Sequence, residues 1–179
     1  MRLFVGIFPS ASMQRQLYQK ADDWCGKLKT KVRLIPPSLL HLTLKFIGNV
    51  EKRRMEEVKR AFLAGVGRFS SISFQTQQIM LFPSPSQPRL VAVAIQDNPQ
   101  LDSAFQFFDS AFTDFGVKSD KRPFRPHITV ARSRYWQRET IQPSFFSLIE
   151  PITSISLVQS QLTPHGSVYT ILESIPVDI

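Results

Sequence analysis

The sequence predicts two copies of a strand–helix–strand unit, folded as two like lobes that face each other. Three observations predict it. The frame His41-Leu42-Thr43-Leu44 recurs as His127-Ile128-Thr129-Val130. An apolar strand run and an amphipathic helix precede each frame. The spacing between copies is nearly constant: Leu3 and Leu90 lie 87 residues apart, Met13 and Leu101 88, His41 and His127 86.

The elements follow in order. Arg2 to Ile7 is a short apolar strand, and Ser10 is placed to cap the helix after it, where Met13, Leu17, Ala21, Trp24 and Leu28 recur at helical spacing. The first His-x-Thr strand follows, bounded by Pro36-Pro37 and Gly48. Met55, Val58, Phe62 and Val66 stand among charges between Lys52 and Val66, the pattern of a second amphipathic helix. Ser71 to Leu81 reads as a strand, and residues 83–88, Pro-Ser-Pro-Ser-Gln-Pro, as either a connector between lobes or a hairpin loop. The second copy opens with the strand Arg89 to Ile95. Asn98-Pro99 starts a helix carrying Leu101, Phe105, Phe108, Phe112 and Phe115, and Gly116 stops it. Arg132 to Ser144 lacks periodicity and reads as a loop. Ser154 to Leu162 and Val168 to Ile175 form a hairpin turning at residues 164–167. A crossover helix of this length allows the two strands of each unit to lie parallel in one sheet.

Strand alternation puts His41 and Thr43 on one face, and His127 and Thr129 likewise, each imidazole about 7 Å along the strand from its hydroxyl. Leu42, Leu44, Ile128 and Val130 then point into a core. Two such strands side by side supply two proton-transfer groups and two hydroxyl donors, which suits acid–base chemistry on a phosphate ester.

Bulk properties narrow the class. A chain of 179 residues with 42% hydrophobic and 20% charged residues is ordinary for a globular domain. No apolar run approaches the roughly 20 residues of a membrane span, and no signal-peptide pattern opens the chain. Cys25, the single cysteine, excludes disulfides within the chain and makes the cytoplasm the expected compartment. Far in sequence from any base, it is not expected to be catalytic. The net charge of +8 favours polyanionic partners.

The stretches 36–48, PPSLLHLTLKFIG, and 122–132, RPFRPHITVAR, resemble the paired signatures of the 2H phosphoesterase superfamily. Within it the chain resembles the bacterial RNA 2′,3′-cyclic phosphodiesterases, also called 2′-5′ RNA ligases. Residues 2–7 (RLFVGI) and 166–169 (GSVY) extend the likeness over nearly the whole chain, and Phe8 departs from it, standing where an acidic or polar residue is common. The resemblance implies an α+β fold, bilobal and internally duplicated, with two antiparallel or mixed sheets facing a central cleft. That is one domain over 1–179, with lobes of roughly 1–85 and 86–179 and a C-terminal hairpin able to cross between them. It also implies metal-independent hydrolysis of RNA 2′,3′-cyclic phosphate ends to 2′-phosphate, reversible as 2′-5′ ligation. His41 is then the proton donor to the 3′-oxygen, His127 the base on water, and Arg132 a phosphate ligand.

The chemistry is consistent on its own terms. In-line opening of a cyclic phosphodiester needs a base on water and an acid on the departing oxygen. Two histidines of ordinary pKa near 6.5 fill both roles when one is neutral and the other charged. Thr43 and Thr129 donate to the non-bridging oxygens as charge accumulates there. No metal or cofactor is expected. The expected partner is RNA or a nucleotide with a 2′,3′-cyclic phosphate, with no membrane involved and the protein a monomer.

Lesser candidates follow. Strict alternation points Arg132 away from His127 unless a bulge intervenes. Lys45 falls on the His41 face by parity; it is either a phosphate ligand or an exposed strand-end lysine. Phe46 is assigned to the core in preference to base stacking. His165 reads as a solvated turn residue without ligand spacing to a three-histidine zinc site. Tyr169 either lines the cleft or packs. The rival functions are a non-catalytic nucleotide or RNA-end binding module of the same fold, an endonuclease that makes cyclic ends, and a hydrolase of another cyclic phosphate.

Overall fold

A computed structural model describes residues 1–113, 115–119, 123–164 and 166–178. Arg122 and His165 of the sequence reading lie outside the described residues. In chain order the elements are β1 (Arg2–Ile7), α1 (Ala11–Cys25), β2 (Arg33–Leu34), β3 (Leu42–Asn49), α2 (Met55–Leu63), β4 (Ser73–Phe82), β5 (Leu90–Ile95), α3 (Pro99–Thr113), β6 (His127–Arg132), β7 (Ser144–Phe145), β8 (Ile149–Pro151), β9 (Ser154–Thr163) and β10 (Gly166–Pro176). Among the described residues the fold is α+β: three α-helices and one large antiparallel sheet.

α1 and α3 start where their caps require. Ser10 Oγ accepts from the Met13 amide at 3.2 Å, a cap worth about 1 kcal/mol. Asn98 Oδ1 accepts from the amides of Gln100 (2.9 Å) and Leu101 (3.3 Å). Gly116, at φ +76°, takes the left-handed turn that ends the second unit's helix. Most of each apolar stripe faces inward: Met13, Leu17, Ala21 and Trp24 on α1, and Leu101, Phe108 and Phe112 on α3, are buried, whereas Leu28, Val66 and Phe115 lie beyond the helix ends and Phe105 is only half-buried. On α2 the buried pair is Val58 and Phe62, and the Phe62 ring stacks on Phe108 at 5.6 Å.

The strands run β10-β9-β1-β3-β6-β5-β4-β7, with β2 beside β6 and β8 beside β4. Two expectations are corrected here. The strands of each unit are antiparallel, since β1 pairs with β3 and β5 with β6 in opposite directions. After α1 the chain does not re-enter the sheet at once. Residues 26–41, which include β2 and a 3₁₀ turn at Pro37–Leu39, carry it back along the sheet first. In place of two separate sheets, one hydrogen-bonded path crosses both halves, joined at the pair Leu42↔Ile128.

Each half of the sheet also borrows from the other half of the sequence. β4 turns through the 83–88 loop to pair with β5, so that segment is a hairpin loop. β9 returns to pair with β1, with β10 outside it. The helices cross over too, α1 packing on β6 and α3 on β3. The long loop after β6 is pinned to the end of α1: Glu139 accepts from the amides of Lys29 (3.2 Å) and Thr30 (2.7 Å), and Trp24 Nε1 donates to the Gln142 carbonyl at 3.3 Å.

Candidate active site

The histidines meet at the seam of the sheet. β3 and β6 pair at Leu42↔Ile128. Carrying that register one residue each way sets Thr43 opposite His127 and His41 opposite Thr129. Directly opposed residues of antiparallel strands share a face. All four side chains therefore stand together, each imidazole beside the other motif's threonine. Leu42, Leu44, Ile128 and Val130 turn the other way and are buried. All four polar residues line one cleft of about 1220 Å³.

Two β-bulges then reset the alternation. Opposite β1, Gly6 pairs with Thr43 and Val5 with Lys45, so Leu44 is the extra residue. Opposite β5, Ala92 pairs with Thr129 and Val91 with Ala131, so Val130 is the extra residue. Beyond each bulge parity is reversed. Arg132 thereby rejoins the His127 face and lines the cleft. Lys45, expected on the His41 face, turns inward instead: it is 4% exposed, pairs with Asp109 and donates to the Lys118 carbonyl at 3.0 Å. Phe46, expected in the core, is turned out and 60% exposed on the cleft wall.

The two imidazoles are held alike. His41 Nδ1 lies 2.7 Å from the Leu39 carbonyl, and His127 Nδ1 lies 2.7 Å from the Arg125 carbonyl. A carbonyl only accepts, so each Nδ1 carries the hydrogen and each Nε2 is free to take or give a proton. Burial holds both pKa values below the ordinary histidine range, against the carbonyl contacts that raise them. The Arg132 charge lowers both further, Arg125 lowers His127, and His127 lowers His41.

Aromatic rings fix the imidazole planes. Phe82 stacks on His127 at 4.3 Å and 21°, with the Arg125 guanidinium 4.6 Å over the Phe82 ring. Phe4 lies 4.8 Å from His41, Phe8 5.5 Å, and Tyr169 meets His41 edge-on at 5.2 Å. Tyr169 thus lines the cleft. The sequence reading did not single out Phe4 or Phe82; their parity with the motif strands was its only signal.

Close packing of β1 against the His41 strand depends on Gly6. A Cβ there would come within 3.0 Å of both the Leu42 carbonyl oxygen and Phe4 Cε2. Gly6→Ala is expected to cost about 1–3 kcal/mol and to lower turnover by displacing His41, checked by thermal unfolding alongside steady-state kinetics.

The cleft is strongly basic. Arg2, Arg33, Lys118, Arg125 and Arg132 line it, and among the described residues no Asp or Glu does. Phe105 turns from the α3 stripe toward the cleft and stacks on Phe124 at 4.5 Å. Cys25 is buried outside this cleft, its pKa pushed up to about 12 by burial and by Asp22, so it remains a thiol. Among the described residues no group of three His, Cys, Asp or Glu is placed to hold a metal ion. No helix among them is long and apolar enough to cross a membrane.

The sequence model of the 2′-5′ RNA ligase superfamily matches residues 14–159. The chain belongs to that superfamily. Its membership agrees with the resemblance carried by the paired motifs. The chain's curated relatives include an RNA 2′,3′-cyclic phosphodiesterase of Thermus thermophilus, 30% identical over 97% of this chain and 88% of its own length. Another, of Methanothermobacter thermautotrophicus, is 29% identical over 89% of this chain and 90% of its own. Among solved structures, one from Thermus thermophilus superposes with a TM-score of 0.84 at 24% identity, covering 98% of this chain and 97% of its own. E. coli LigT complexed with NADP+ superposes at 0.80 with 25% identity, covering 99% and 98%. The fold shared with these structures extends over 98–99% of this chain.

Proposed function

We propose that this protein is an RNA 2′,3′-cyclic phosphodiesterase that opens the cyclic phosphate to a 2′-phosphate by two-histidine acid–base catalysis. The observation that carries the reading is the matched setting of the two imidazoles: each is clamped at Nδ1 by a carbonyl two residues back, and both line one basic cleft. The names of the relatives supply the substrate class.

His127, neutral, takes a proton at Nε2 from water as the water oxygen attacks phosphorus in line. The P–O3′ bond breaks, and His41, protonated, gives its Nε2 proton to the departing 3′-oxygen. The products are a 2′-phosphate and a 3′-hydroxyl, and proton exchange with solvent resets both rings. Thr43 and Thr129 donate to the non-bridging oxygens as charge builds there, and the Arg132 guanidinium neutralises it. The same steps with a 5′-hydroxyl in place of water join ends by a 2′-5′ link, and run in reverse they reopen that link to the cyclic phosphate.

The chain acts as one duplicated domain and as a monomer. Duplication is supported by the seam: Leu42 pairs with Ile128, and the extra residues of the two bulges are Leu44 and Val130. Both pairs have the spacing of the histidines themselves, and the spatial halves exchange strands reciprocally.

The test is product identity. A short RNA ending in 2′,3′-cyclic phosphate, incubated with the protein and a metal chelator, is expected to yield only the 2′-phosphate end. A 3′-phosphate product, or bound RNA left intact, would overturn this reading.

A further inference from the structure

Across β1, β9 and β10 three side chains stand in one register row: Arg2 pairs with Ser160, and Ser160 with Tyr169. Residues so paired share a face of the sheet, and all three line the cleft. The row ends at the reacting centre, where the Tyr169 ring touches His41 at 5.2 Å. Burial keeps the Tyr169 hydroxyl protonated and able to donate. Arg2 enters none of the ion pairs among the described residues, which use Lys45, Arg53, Arg54 and Lys59. Arg33 adds a further positive charge at the turn of this hairpin, its Nη1 3.8 Å from where a Cβ on Gly166 would stand. A guanidinium and two hydroxyls, with no described carboxylate in the cleft to compete, form a donor set for an anion that the hydrolytic steps leave unused.

We propose that Arg2, Ser160 and Tyr169 bind the 5′-phosphate of the nucleotide whose 2′,3′-cyclic phosphate is being opened. This rests on the function proposed above. In a strand ending in a cyclic phosphate, the nearest other phosphate is the one on the 5′-oxygen of the same nucleotide. A donor row one side chain away from His41 is placed to meet it. The site then distinguishes the end of an RNA strand from a free nucleoside cyclic phosphate.

Two substrates test it: adenosine 2′,3′-cyclic phosphate with a 5′-hydroxyl, and the same compound with a 5′-phosphate. The 5′-phosphate is expected to raise kcat/KM by about ten- to a hundredfold at low salt, the range for charge-assisted hydrogen bonds, and less at high salt. In Arg2→Gln the ratio between the two substrates falls toward one, and Arg2→Lys restores part of it. A ratio of one in the parent protein, or one unchanged in Arg2→Gln, overturns the proposal.

Calorimetric binding of adenosine 2′-phosphate and adenosine 2′,5′-bisphosphate, run in parallel, needs no turnover. Tighter binding of the bisphosphate that depends on Arg2, with neither cyclic compound hydrolysed, would retain the anion subsite and refute the hydrolytic reading. Equal binding of the two would refute the subsite whatever the turnover.

Discussion

His41→Ala and His127→Ala each lower kcat for cyclic phosphate hydrolysis by about 10³-fold, within the range for loss of a positioned acid or base. The double variant is no more than about tenfold worse than either single one, because each proton transfer is useful only when the other is in place. Circular dichroism separates this from unfolding: both rings are half-buried at the cleft wall, and the leucine and isoleucine beside them carry the packing. Replacing the 3′-bridging oxygen by sulfur separates the roles. A thiolate leaves without a proton, so His41→Ala recovers most of its rate on that substrate while His127→Ala does not. Equal recovery in both variants would reject the assignment of acid and base.

The profile of kcat/KM against pH is a bell whose optimum lies on the acid side of about 6.5, the ordinary histidine value. The sign follows from the surroundings. Burial favours the neutral ring at both positions, and the Arg132 charge adds to it, so both limbs move to lower pH. Arg132→Gln removes that charge and a phosphate donor together. Its bell moves toward alkaline pH, and its rate falls about 10²- to 10³-fold. Stability is linked in the same direction. With the folded-state pKa lowered, the unfolded chain binds the more protons, so stability is complete above about pH 6.5 and is lost as pH falls toward the folded values. Unfolding temperatures measured from pH 7 to pH 5 should fall less in a His41→Gln, His127→Gln double variant than in the parent. An optimum above pH 7 would contradict the lowered pair.

Which features were legible in the sequence follows from the range of the forces that set them. Ser10, Asn98 and Gly116 act on atoms within a few residues, so the helix ends could be read locally. The repeated His-x-Thr frame carried the site because period-2 alternation holds over three residues. Over five it failed. The bulges at Leu44 and Val130 depend on how β3 and β6 seat against β1 and β5, and a single strand contains no record of its partner's register. Hence Lys45 and Phe46 exchanged their expected sides, while Arg132 gained the face that strict alternation denied it. Strand direction was missed for a similar reason, since helix length permits a parallel crossover but the segment after the helix decides it. β2, β7 and β8 have two or three residues each, too few for any periodicity.

The exchange of strands between halves also sets the order in which the nascent chain can mature. β1 and β3 leave the ribosome early and can pair at once. The outer edge of β1, Arg2–Gly6, is completed only by Ser156–Ser160. Until that distant segment is synthesised, the first half presents an unpaired strand bearing Leu3 and Val5, both fully buried once folded. Such an edge is a template for pairing with another chain. Translation interrupted between β8 and β9 would therefore release an aggregation-prone fragment, not a stable half-protein.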